Sequence, residues 1–158
     1  MNFINDGLNL YKNNNSVCSI NGWFYPKKNN LDETLFLLGG NTWGWGTWKR
    51  AWDKFNPDTN YLIKELKKKN MIKKFNLNNS FDYFSMLEKR HKKLNESHTI
   101  IWKASTFLNK MFSLYPSSSL VQNIGFDGTG THNKKRDNLH SHNFLYGKKI
   151  KLKISKVE

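Results

Sequence analysis

Residues 119–136 read Ser-Leu-Val-Gln-Asn-Ile-Gly-Phe-Asp-Gly-Thr-Gly-Thr-His-Asn-Lys-Lys-Arg. A strand-like run over 119–124 feeds a loop punctuated by Gly125, Gly128 and Gly130. Glycines at such a junction let backbone amides approach and cradle a phosphate. Asp127 and His132 are metal-capable, and Lys134, Lys135 and Arg136 add positive charge. Diphosphate binding by amides, His132 and these cations is therefore coherent chemistry. The spacing matches neither a P-loop nor a dinucleotide fingerprint. An ordinary glycine turn entering a solvated basic tail explains the same residues.

Two further groups carry reactive side chains. Glu96 and His98 form a Glu-x-His pair suited to acid–base work, or an inert loop pair. His140 and His142 suit a metal, but lack a third ligand at a recognised spacing. Trp43, Trp45, Trp48 and Trp52 fall within ten residues, in a chain of six tryptophans. Gly44 and Gly46 interrupt them, so the spacing predicts a bent segment that turns into a helix at about Thr47, its N-cap. Trp48 and Trp52 would share one helix face, with Lys49 and Arg50 projecting from the first turn. The cluster reads either as a tryptophan-rich core corner or as the wall of a pocket.

The elements positioning these residues come next. A helix is expected over 2–12, weakened by Gly7, then a strand from Ser16 to Ile20 extended through Gly22–Pro26. Leu35-Phe36-Leu37-Leu38 suits a buried strand. Helices are expected over 60–75, 81–93 and 99–112, the second with Phe81, Phe84, Leu87 and His91 on one face. Tyr115-Pro116 ends the third. Residues 148–154 alternate like a lysine-guarded edge strand.

At 158 residues the chain fits a single domain with a real core. Its formal charge of +14 predicts attraction to anions: phosphorylated molecules, nucleic acid or anionic membrane. A lone cysteine, Cys18, excludes an internal disulfide framework and suggests a reducing compartment. No apolar run is long enough to span a bilayer, and the N-terminal residues lack the pattern of a secretory signal. No helix-turn-helix, RNP motif, zinc-finger spacing or KH loop supports specific nucleic-acid recognition.

Three stretches resemble a branch of bacterial family-two glycosyltransferases. Trp43-Gly-Trp-Gly-Thr-Trp-Lys-Arg-Ala-Trp52 resembles its W-G-W-A-T-W-K-R-A-W signature. Ser119 to His132 resembles the closing S-L-V-Q-N-I-G-F-D-G-S-G-T-H motif. Asn95 to Ser105 is similar to N-D-S-W-A-I-R-W-Y-A-S. The likeness covers residues 1–140, leaving 141–158 as a basic tail. It implies an α/β, GT-A-like fold with a small mixed sheet and flanking helices. That fold would be incomplete, because the nucleotide-binding half and its Asp-rich metal motif have no counterpart here.

The resemblance also implies roles. Glu96, where the family has Asp, would be the catalytic base. Trp43, Gly44, Trp45 and Ser97 would contact substrate. Asn123, Gly125, Asp127, Gly128, Gly130 and Lys134 would do so around the diphosphate, with His132 as a metal ligand. Mg or Mn is implied, its main ligands lying in the missing half. The expected partners are a nucleotide-diphosphate sugar, a glycan or lipid-linked acceptor, and a separate donor-binding half. The expected location is cytoplasmic, peripheral at the inner membrane face. His98 replaces the family's Trp and Ile101 its Arg. The competing expectation is a non-catalytic basic module for nucleic acid or anionic membrane.

Overall fold

Phe3, Ile4 and Leu8 recur at helical spacing and form the inner side of α1 (Asn2–Leu10). The computed structural model describes residues 2–24 and 34–121. Gly7 weakens α1 as an isolated helix, but it is required by packing. A Cβ there would stand 2.9 Å from Ile20 Cγ2, so glycine lets α1 press directly onto the sheet.

The sheet has four strands in the order β2-β4-β1-β3. Its central strands, β1 (Val17–Asn21) and β4 (Phe112–Pro116), are parallel. The edges, β2 (Thr34–Leu38) and β3 (Trp45–Thr47), run antiparallel to them. Every residue of β1 is buried, as expected for a strand covered on both faces. The fold is α/β, with a small mixed sheet and flanking helices.

On the face opposite α1 lie α2 (Lys49–Trp52) and α6 (His98–Leu108). Behind α6 pack α3 (Thr59–Lys68), α4 (Ile72–Phe75) and α5 (Tyr83–His91), around Leu62, Leu66, Phe75, Leu87, Ile100 and Phe107. Residues 100–107 of α6 are all buried. A helix sandwiched between a sheet and other helices shows no clean polar stripe. Asp58 and Asp82 cap α3 and α5, accepting from Tyr61 N and Ser85 N.

Several expectations are corrected. The helix expected over 60–75 is two helices, broken where Asn70 takes φ +53°. The helix expected over 99–112 stops at Leu108. Residues 112–116, including Tyr115 and Pro116, instead form a central strand. A buried helix followed by a buried strand is one apolar run with no change of period to mark the junction. Pro116, lacking a donor, occupies the last strand position, where it is tolerated.

Thr47 is not a helix cap. Pairing with β1 draws it into β3, where its hydroxyl donates to Cys18 O at 2.6 Å. Trp48 occupies the N-cap position without a side-chain capping bond. Trp48 and Trp52 also diverge. Trp48 donates to Leu8 O on the α1 side, while Trp52 packs on Trp45, Trp102 and Phe55. Lys49 pairs with Asp53, but Arg50 folds back beneath the sheet, donating to Tyr11 O, Lys12 O and Val17 O and lying over the Trp48 ring. Phe81 and His91 are exposed, so only Phe84 and Leu87 of that expected face enter the core. The described part of the expected strand over 119–124, Ser119–Val121, is not a strand.

Candidate functional site

In open α/β sheets ligands bind outside the carboxyl ends of the parallel strands. Here that end of β1 is Asn21, followed by Gly22 and Trp23. Two separated segments converge on Gly22. Its N–H donates to Gly44 O at 2.7 Å, and its carbonyl accepts from Leu120 N at 2.7 Å. Gly44 takes φ +53°, and a Cβ there would stand 2.7 Å from Val121 Cγ2. Glycine therefore lets Trp43–Trp45 and Ser119–Val121 meet at one point.

A third segment joins through the start of α6. Thr99 Oγ1 and Thr42 Oγ1 are hydrogen-bonded at 2.5 Å, tying the helix to the loop before Trp43. Ser97 caps α6 by accepting from Ile100 N, and Asn95 Oδ1 accepts from Ser97 N. Glu96 is exposed between them and is not the cap. Trp43 packs edge-on against buried Trp23 with centroids 4.5 Å apart, and Trp45 packs on Trp102 at 5.7 Å. Trp43, Gly44, Trp45 and Ser97 therefore belong to a connected region. Asn123, Gly125, Asp127, Gly128, Gly130, His132 and Lys134 lie outside the described residues.

Beneath this region runs a buried polar chain. Ser113 Oγ donates to Gly39 O at 3.0 Å, so its contact with Ser19 Oγ at 2.7 Å must take its proton from Ser19. Asn21 Nδ2 in turn donates to Ser19 Oγ at 3.0 Å. Every proton in the chain points inward, and the outer end is Asn21 Oδ1. Among the described residues that atom has no partner, on a residue only 1 % exposed. Cys18 Sγ lies 3.3 Å from Ser113 Oγ, and burial pushes its thiol above the ordinary value.

Two residues of α6 complete the picture. Trp102, also 1 % exposed, has no partner for its indole N–H among the described residues, and that N–H lies beside Gly40, where any Cβ would overlap it. Lys103 is buried beside Gly39, and desolvation pulls its amine down to about 8. Sequence reasoning missed Asn21, Gly22, Trp23, Trp102 and Lys103 as site residues. The only available signal was a polar residue ending a hydrophobic strand and a lysine inside an apolar helix.

Among the described residues no group of three or more His, Cys, Asp or Glu could hold a metal ion. No helix among them is long and apolar enough to cross a membrane. None of the family models, curated proteins or solved structures compared with the chain matches it.

Proposed function

We propose that the chain is the acceptor-side half of an inverting, family-two-like glycosyltransferase of the GT-A type. One observation supports this most: Gly44 and Val121, from two of the stretches carrying the resemblance, meet beside Gly22 just beyond β1, and Thr99 from the third bonds Thr42, next to Trp43. The aromatic walls of Trp23, Trp43 and Trp45 suit a sugar, and the unpaired Asn21 Oδ1 suits a hydroxyl donor.

In this reading a Glu96 carboxylate oxygen takes the proton of the acceptor hydroxyl as that oxygen attacks the anomeric carbon. The bond from that carbon to the donor diphosphate breaks with inversion. A Mg or Mn ion would be held mainly by the donor-binding half, with His132, which lies outside the described residues, as the ligand expected from this chain.

Fusion to a donor-binding half, with product measured by mass spectrometry, tests the reading. Transfer is expected from the fusion and not from these 158 residues alone. A fusion that binds nucleotide sugar but transfers nothing to any glycan or lipid-linked acceptor removes the proposal. Within an active fusion, Glu96→Gln should lower turnover about a hundredfold or more. Its melting temperature should hold, because Ser97 and not Glu96 caps α6. A melting loss with unchanged turnover takes Glu96 off the catalytic list.

A second reading, a basic module for anionic surfaces, is favoured by one observation. Lys64, Lys67, Lys68, Lys73, Lys74, Lys89, Lys92 and Lys93 are all exposed on or next to α3, α4 and α5. Salt-sensitive sedimentation with anionic vesicles, absent with neutral ones, is its test.

A further inference from the structure

A cleft of about 450 Å³ opens where the end of α6 meets the α2–α3 connection and the start of α3. Asp53, Lys54, Phe55, Asn56, Tyr61 and Asn109 stand in its wall. Its size falls within the range of small-ligand pockets. The 11 residues of α6 make a helix about 16 Å long. Thr99, bonded to Thr42, is near its start, and Asn109 follows its last residue. The cleft is therefore separate from the region around Gly22 and Gly44.

The wall is held in place. Asn56 N donates to Ser105 Oγ at 3.0 Å, which pins the connection to α6. Phe55 stacks on Trp52, with ring centres 4.9 Å apart and planes within 8° of parallel. Two amides of the wall are each anchored by one end. Asn56 Oδ1 accepts from Asp58 N at 2.9 Å, and Asn109 Nδ2 donates to Ser105 O at 2.8 Å. A backbone N–H only donates and a backbone carbonyl only accepts, so both amide orientations are fixed. Asn56 keeps a donor, Nδ2, and Asn109 an acceptor, Oδ1, neither bonded to protein among the described residues. Both residues bond Ser105, so the two amides are neighbours.

The charges around the cleft disfavour an anion. Asp53 pairs with Lys49 at 2.9 Å, and Lys69, also in the wall, pairs with Glu65 at 2.8 Å. Lys54 is the one lining cation without an ion pair among the described residues. A nearly neutral wall in a chain of net charge +14 suits an uncharged ligand. Phe55 and exposed Tyr61 supply ring surface, and the two amides supply a donor and an acceptor. A sugar matches both. Its C–H face rests on an aromatic ring, and each of its hydroxyls both donates and accepts. A nucleotide would also stack, but would bring its phosphate beside the Asp53 carboxylate.

We propose that this cleft binds a neutral sugar residue, its ring on Tyr61 and its hydroxyls on Asn56 Nδ2 and Asn109 Oδ1. This does not rest on the transferase reading. The cleft lies at the other end of α6 from Glu96 and takes no part in transfer.

Side-chain amide NMR of the full, unaltered chain tests the site. The probes are maltotriose, lactose and chitobiose, with uridine monophosphate as the charged, stacking alternative. At least one of the three sugars is expected to shift the Asn56 and Asn109 signals saturably, with a Kd of about 1 mM or tighter. Buried Asn76, bonded to Asp82, should not respond. Tyr61→Ala should weaken that binding about tenfold or more and leave the melting curve in place, because the ring is exposed. No saturable shift at Asn56 and Asn109 with any of the three sugars overturns the proposal. So does tighter binding there of uridine monophosphate than of all three, or a folded Tyr61→Ala chain that binds like its parent.

Discussion

The two faces of the sheet are built on different principles. Facing α1, the strands present Val17, Ile20 and Leu114, closed over by Phe3 and Tyr11, with Phe36, Leu8 and Trp48 packed against them. Facing α6, the same strands present Cys18, Ser19, Asn21 and Ser113. A register shift between Val17 and Ser19 interrupts the alternation along β1, so Cys18 and Ser19 both reach Ser113 while Val17 and Ile20 serve the α1 layer. The α1 face is packed mainly with apolar side chains, the usual way of gaining stability. The α6 face carries a one-way hydrogen-bond chain that, among the described residues, ends in an acceptor without a partner. Buried polar groups left in this condition oppose folding. In the proposed reading, the face that carries them is the one that meets substrate.

Substitutions on the two faces should therefore behave oppositely. The largest effect is expected on the apolar side. Leu114→Ala empties a completely buried position and should cost about 2–5 kcal/mol in chemical denaturation. A loss below about 1 kcal/mol would mean that the α1 layer contributes little, and the contrast would fail.

Next comes Lys103, with the opposite sign. Its folded amine lies at about 8, below the ordinary value of 10.5, so the fold disfavours the charged form. Between those two values the unfolded chain holds more protons, so stability rises with pH across that window. Below it the cost is constant, at about 3 kcal/mol from the size of the shift. Lys103→Met should stabilise the chain near neutral pH and abolish the rise. Urea melts of both chains at about pH 7 and about pH 9.5 would show it. Parallel curves for the two chains would mean that Lys103 is not buried as a cation.

The smallest effect is expected at Asn21. Asn21→Leu removes a half-satisfied amide and one hydrogen bond to Ser19, two changes that nearly cancel. Stability should move by less than about 1 kcal/mol in either direction. In an active fusion the same change should lower sugar transfer while leaving the melting curve in place. A drop of several kcal/mol would instead assign Asn21 to the structural framework.

Much of the framework was legible in the sequence. α1, β1 and β2 follow from local periodicity, and α3 and α5 begin at Asp caps whose side chains bond the first turn. The boundary between α6 and β4 was not legible, because residues 100–116 are apolar for two different reasons. One stretch is buried by helices on several sides and the other by strands on both edges. Trp48 and Trp52 show a second limit. Helical spacing places them together, but β3 ends at Thr47, and pairing with β1 sends one ring to each layer.

The sequence by itself determined a set of expected helices and strands, a strongly basic composition and an aromatic segment punctuated by glycines. Residue type and local spacing are enough for that, since caps, periodicity and charge act within a few residues. Tertiary structure alone decided which polar groups are left wanting. Asn21 and Lys103 look like ordinary strand-end and helix residues in one dimension. Their significance arises because β4 returns parallel to β1 and α6 seals the polar face from water. Whether an amide, an indole or an ammonium is satisfied depends on partners brought from about ninety residues away, as Ser19 and Ser113 are, and no local pattern encodes that distance.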